Sequence, residues 1–208
     1  MNNICFLTSN IQKAKDISSF GISVKEFSID VPEVLSSDVE TVVLYKAKDT
    51  NLDNILVEDT SLDVDGAHFL GTEIKHVYDE IKEDFSFNER SAVWRVSMCM
   101  KQGDNFYIST GELHGKLKYP ELDYGYHFNK LLSVDIYQNN QPRFFEQLSN
   151  EEKQKFGPRF IALRKLKNAL KTQNYSEIKI VHKDCIEKWM GSYQVETTKE
   201  NLQKKPTL

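Results

Sequence analysis

Over the opening part of the chain, short apolar runs alternate with stripes at helical spacing. ICFL, residues 4–7, is a continuous apolar run that ends in the small polar turn TSN, as a short buried strand does. IQKAKDISSF then places Ile11, Ala14, Ile17 and Ser18 on one helical face, with Gly21 as the stop. ISVKEFSI alternates and predicts a second strand. In SSDVETVVLYKAKD, Ser36 or Ser37 is the expected N-cap and Glu40 falls in the first turn. Val42, Val43 and Ala47 share one side, so the stretch predicts a second helix. ILVEDTSL begins with the apolar run Ile55 to Val57 and turns acidic at Glu58 and Asp59, reading as a third strand and its exit. Strand–helix–strand–helix–strand is an α/β pattern.

The middle of the chain changes character. SAVWRVSMCMKQGDNFYISTGELHGKL holds two alternating runs, Val93 to Met100 and Phe106 to Thr110, joined by QGDN, which predicts a β-hairpin. EEKQKFGPRFIALRKLKNALK returns to helical spacing at Phe160, Leu163, Leu166 and Leu170. Gly157-Pro158 interrupts any helix there, so Arg159 is expected to open the following one. Residues 1–174 therefore read as one mixed α/β unit with an antiparallel insertion that splays into two lobes. Residues 175–208 read as a C-terminal extension, with one strand-like run, IKIVH, and a polar end.

Composition narrows the class. At 208 residues, 39% apolar and 28% charged, the chain can bury a core and is globular rather than disordered. A net charge of -4 argues against a nucleic-acid binder. Cys5, Cys99 and Cys185 lie far apart with no CxxC, which predicts reduced structural thiols rather than a disulfide framework or zinc ribbon. No run approaches the ~20 apolar residues of a membrane span, and the first residues lack a basic segment followed by an apolar one. The expected setting is cytoplasmic, with no membrane and no nucleic-acid partner.

Three groups of residues are candidates for chemistry, each open to two readings. Thr8, Ser9 and Asn10 sit where a strand turns into a helix, with Lys13 one turn in. They make either a phosphate cradle or a plain helix cap with a solvated lysine. Glu33 follows Pro32, and Glu58 and Asp59 follow an apolar strand. Acids at strand ends suit a hard divalent ion held by one or two carboxylates and substrate phosphates, or else Asp59 and Thr60 cap a turn. Asp63 and Asp65 are expected to be solvent-facing loop acids. Lys153 and Arg159 flank the Gly157-Pro158 break and are either ligand-binding cations or ordinary loop charges. The five histidines show no metal spacing, and there is no GxSxG, Walker loop or GxGxxG.

The order of motifs carries more than any one of them. LTSNIQK, IDVPE, a helix ending in YKA, ILVEDTSL, FLGTEIKHVYDEI, YGYHF and LSNEEKQKFGPR follow one another in an order that resembles the inosine triphosphate pyrophosphatase family, the HAM1-like enzymes acting on non-standard purine nucleotides. The resemblance covers roughly residues 4 to 170. It implies an elongated mixed sheet with two lobes flanking a central nucleotide cleft. It also implies a homodimer and Mg²⁺-dependent hydrolysis of a nucleoside triphosphate to the monophosphate and pyrophosphate. On that pattern Thr8, Ser9, Asn10 and Lys13 form the phosphate loop. Glu33 and Asp59 hold the metal, and Asp59 or its neighbour Glu58 helps to activate water. Lys46 reaches the phosphates, and Lys153 and Arg159 close over the nucleotide.

This chain departs from the family where the base is read. A glycine–aromatic–aspartate becomes Gly125-Tyr126-His127, and a serine–histidine–arginine becomes Gly157-Pro158-Arg159. Two accounts follow: an active pyrophosphatase with a re-specified base pocket, or a decayed nucleotide-binding regulatory protein of the same fold. A third is nucleotidyl transfer by the same α-phosphorus chemistry. Attack at that phosphorus loads charge onto the phosphate oxygens, and cations neutralise it without a covalent nucleophile.

Overall fold

A computed structural model describes residues 4–8, 10–25, 36, 38–65, 67–70, 78, 81–119, 121–125, 127–134 and 143–190. Contacts divide the chain into two compact units. One comprises Met1–Asp59, Met98–Ser109 and Leu166–Leu208; the other comprises Thr60–Ser97 and Thr110–Lys165. Three long strands run through both: β3 (Ile55–Val64), β5 (Ser91–Gln102) and β6 (Asn105–Leu117).

The first unit opens as the sequence pattern predicts. β1 (Cys5–Leu7), α1 (Ile11–Ser18), β2 (Ser23–Lys25) and α2 (Val39–Lys48) lead into β3. β1 pairs in parallel with β2 on one side and β3 on the other, and the order continues through β5 to β6. Strands covered on both faces are apolar throughout, and Cys5 to Leu7 and Ile55 to Val57 meet that requirement. Of the face expected on α1, Ala14 and Ile17 are buried, but Ile11 is 63% exposed and Ser18 also faces water. Gly21 follows α1 with a φ of +74°, the conformation a glycine stop supplies. α2 buries Val42, Val43 and Ala47, with Leu44 added.

The N-cap of α2 is Asp38 rather than Ser36 or Ser37. Its carboxylate accepts from the Glu40 N–H and from the Thr41 hydroxyl, while Ser36 supports it by accepting from the Asp38 N–H. A charged oxygen at a helix N-terminus is favoured by the helix dipole.

β5 and β6 form the expected hairpin. Gly103, at φ +56°, takes the first position of a two-residue turn, and its N–H donates to Asp53 just ahead of β3. Beyond the stretch resembling the family, β9 (Lys179–His182) pairs antiparallel with the start of β6, and α5 (Lys183–Met190) follows. Val181 and Ile186 belong to one core cluster with Val43, Leu44, Ala47, Ile55, Phe106 and Ile108. Lys179 adds an ion pair to Glu40 of α2. All three cysteines are free; Cys99 is fully buried, and burial pushes its thiol far up, which makes it an inert core residue.

In the second unit β3 turns back antiparallel on β4 (Ala67–Leu70). The end of β6 pairs with β7 (Leu132–Val134), which pairs with β8 (Arg143–Phe144). Of the two acids expected in a loop, one is corrected and one is where it was expected. Asp63 lies within β3 and is ion-paired with Arg95, which also reaches Glu112, whereas Asp65 sits exposed in the turn. Trp94 is buried edge-on to Phe128 and Phe145, and its indole N–H donates to the Thr60 hydroxyl at 2.7 Å.

α3 (Asn150–Phe156) is started by a capping box between Ser149 and Glu152 and ends at Gly157. Pro158 opens α4 (Pro158–Thr172), so Arg159 begins that helix as expected. The Ser149 backbone N–H, and then the Arg143 guanidinium, hold the Glu152 carboxyl below the ordinary glutamate range. A carboxyl depressed in the folded state adds stability above its unfolded value and loses it as pH falls through the folded one. Melting temperatures taken between about pH 7 and about pH 3 should therefore drop less for Glu152→Gln than for the unaltered protein. Equal slopes would show that the box does not contribute.

Candidate active site

The acidic stretch after Ile55 is not a strand exit. β3 continues unbroken to Val64, and both Glu58 and Asp59 are buried within it. Ionised carboxylates enter a strand interior only with counter-charge at hand. α1 and α2 deliver that charge. Lys13 of α1 lies 3.0 Å from Glu58, whose side chain is 1% exposed. Lys46, in the last turn of α2, lies 2.5 Å from Asp59, whose side chain is 9% exposed. The turn reading for Asp59 and Thr60 is thereby set aside. Thr60 instead donates its hydroxyl proton to the Arg95 carbonyl at 2.9 Å.

Successive side chains of an extended strand leave on opposite faces. Glu58 and Asp59 accordingly meet different helices and are not arranged to chelate one ion together. Each is a carboxylate–ammonium pair with an identity of its own. Both lysines are mostly covered, at 20% and 22% exposed.

The N-terminal turn shows the cap of the second reading without its solvated lysine. Asn10 caps α1, its side-chain oxygen accepting from the Gln12 and Lys13 N–H groups at 2.9 and 3.2 Å. Thr8 supports the cap by accepting from the Asn10 N–H at 3.0 Å. The turn is thus a conventional cap, but Lys13 is no solvated lysine. Ser9, Glu33 and Tyr126 lie outside the described residues. His127 begins a short 3-10 turn, His127–Lys130, and its side chain also falls outside the description.

In the second unit, Lys153 is held by Glu146 at 2.8 Å, with its ammonium 5.6 Å from the centroid of the Phe145 ring. Glu146 is a partner that sequence reasoning missed. Its only signal was a position seven residues before Lys153, which no helix period connects across the intervening turn. Arg159 is half-buried at the first turn of α4. Gly111 of β6 permits that helix to start where it does, since a Cβ there would lie 2.0 Å from the Pro158 carbonyl oxygen.

Whether these residues suit a divalent cation can be judged from donor chemistry. Asp59 offers hard oxygen on a rigid strand beside an ammonium, the setting of an ion that shares its ligands with substrate phosphates. Among the described residues no group of three or more His, Cys, Asp or Glu side chains forms a closed cage. Asp59 is thus the described carboxylate whose setting would suit such an ion.

Buried carboxylate–lysine pairs, set between parallel strands and the helices that cross over them, mark the chain as an α/β protein with a candidate centre for phosphate and cation chemistry. The family model for the Ham1 family matches residues 4–169, and the chain belongs to that family. The family is one of nucleoside triphosphate pyrophosphatases that generally depend on a divalent metal. No curated protein matches the chain. Among the described residues no helix is long and apolar enough to cross a membrane.

Proposed function

We propose that the protein hydrolyses a ribo- or deoxyribonucleoside triphosphate carrying a non-standard or modified base, with Mg²⁺, to the monophosphate and pyrophosphate. The observation that carries this reading is the pair of buried contacts on adjacent residues of β3, Lys13 with Glu58 and Lys46 with Asp59. Each pair sets an ammonium, the charge a triphosphate needs, beside a buried acid of the kind a metal or an attacking water needs. Lys46 with Asp59 is the pair assigned to the metal. Lys13 and Glu58, on the other side of the strand, keep the roles the resemblance gives them.

Water oxygen attacks the α-phosphorus, the bond from that phosphorus to the α–β bridging oxygen breaks, and pyrophosphate leaves. Asp59, with Glu33 by resemblance, would hold Mg²⁺, which supplies charge neutralisation at the phosphate oxygens. Lys46, beside Asp59, neutralises the remaining oxygens, and Lys13 has the phosphate-loop role that the resemblance gives it. Glu58 or Asp59 accepts the proton of the attacking water. Thr8, Ser9 and Asn10 keep the phosphate-loop role, and Tyr126, His127, Lys153 and Arg159 the nucleotide-contacting roles, that the resemblance gives them. A homodimer and a cytoplasmic setting belong to the same reading.

The alternative is a protein that binds nucleotide without turning it over. On either reading a phosphate at the start of α1 would displace the Asn10 side chain from the Gln12 and Lys13 N–H groups. Pyrophosphate release over a panel of standard, deaminated and modified NTPs and dNTPs with Mg²⁺ separates the two. Turnover of at least one member supports the catalyst. Binding without turnover of any member leaves the binder.

Base reading has its own test. The double substitution His127→Asp with Pro158→His restores the family's side chains at both departures. It should raise inosine triphosphate kcat/KM by about tenfold or more, the worth of one recovered hydrogen bond to a base edge. An unchanged value would place base reading elsewhere in the chain.

A further inference from the structure

Lys46 does more than wait for phosphate. Its ammonium lies 2.5 Å from Oδ2 of Asp59, the carboxylate that would hold the metal. Ammonium and divalent cation repel strongly at such separations, and the burial of Asp59 weakens screening by water. One must leave before the other binds. α2 does not move easily to allow this, since Val43, Leu44 and Ala47 are fully buried in the core cluster with Val181 and Ile186. What moves is the Lys46 side chain, a flexible four-carbon stem in the last turn of the helix.

Once displaced, the ammonium needs a new anion. A triphosphate supplies one. From this geometry we infer that Lys46 is a built-in counter-cation that keeps metal off Asp59 until a triphosphate draws the lysine away. Metal and triphosphate then bind with positive coupling, and the enhancement is reciprocal. The free protein takes up little metal, and the ion arrives together with its nucleotide. This rests on the reading of Asp59 as the metal carboxylate.

The test is direct metal binding to the full chain without nucleotide, using Mn²⁺ followed by electron paramagnetic resonance or calorimetry. Lys46→Met should bind Mn²⁺ at least about tenfold more tightly than the unaltered protein, because the buried carboxylate then lacks its ammonium and gains most from a cation. Adding Asp59→Asn to Lys46→Met should abolish the gain. Equal or weaker Mn²⁺ affinity in Lys46→Met, or a gain that survives Asp59→Asn, would overturn the inference.

If Lys46→Met fails to fold, the unaltered protein decides. Inorganic tripolyphosphate has no base, and its affinity should rise at least about tenfold when Mg²⁺ is added; independent binding would overturn the coupling. Failure of the catalytic reading looks different. A Lys46→Met gain in Mn²⁺ affinity, in a protein that releases pyrophosphate from no nucleotide, keeps this inference and removes the catalyst. An active enzyme whose Mn²⁺ affinity ignores Lys46 does the reverse.

Discussion

Asp59→Asn should lower the rate of pyrophosphate release by about 10³-fold or more, with the fold retained. Asparagine keeps the shape of the side chain and its place in β3 but removes the charge that faces Lys46. It also withdraws the charged oxygen that would hold the metal, and with it the cation that would neutralise the developing negative charge. The fold survives because the substituted amide keeps an oxygen that can accept from the Lys46 ammonium, itself 22% exposed. Steady-state pyrophosphate release measured beside the melting temperature gives the answer. A variant within about tenfold of the unaltered rate would show that Asp59 is not at the reacting centre, since metal ligands contribute more than that.

Gly111→Ala should produce a large loss of stability for a single methyl group. Its Cβ would fall 2.0 Å from the Pro158 carbonyl oxygen, 2.8 Å from the Ala162 nitrogen and 2.9 Å from the Ile161 Cβ. Two of the three are backbone atoms, so no side-chain rotation relieves the clash; β6 and α4 must separate. Overpacking that moves backbone costs about 3 kcal/mol or more. For a chain of this size that lowers the melting temperature by about 6–12 °C. The control is Gly103→Ala, where a Cβ meets nothing within 4 Å and only the φ of +56° is strained. That change should cost about 1 kcal/mol. Similar losses at both sites would mean that the close approach at Gly111 is not what constrains it.

Local periodicity carried most of the fold. The β1-α1-β2-α2-β3 series, the hairpin around Gly103 and the helix opened by Pro158 were all legible, because each is specified by neighbours in sequence. The strand through Glu58 and Asp59 was not. A run of acids looks like an exit from the core until Lys13 and Lys46 are known to sit over it, and those partners are far off in sequence or on another element.

The same limit explains Asp63, whose place in β3 depends on Arg95, and Lys153, whose partner Glu146 precedes an intervening turn and helix start. At the start of α2, three residues of capping type stand in a row, and pattern alone does not choose among Ser36, Ser37 and Asp38. In α1 the apolar stripe overreaches at Ile11, where the core ends. Of the four residues that the structure brings together in pairs, the sequence pattern singled out both acids and Lys13, and the family resemblance added Lys46. Neither showed that each acid has its own lysine, because that follows from strand alternation and helix placement.

The central claim is water attack at the α-phosphorus of a nucleoside triphosphate. It is tested most directly by turnover in ¹⁸O-labelled water with Mg²⁺, followed by mass spectrometry of both products. The account predicts one labelled oxygen in the nucleoside monophosphate and none in the pyrophosphate. Label in the pyrophosphate, release of orthophosphate in its place, or no turnover of any nucleotide would contradict it.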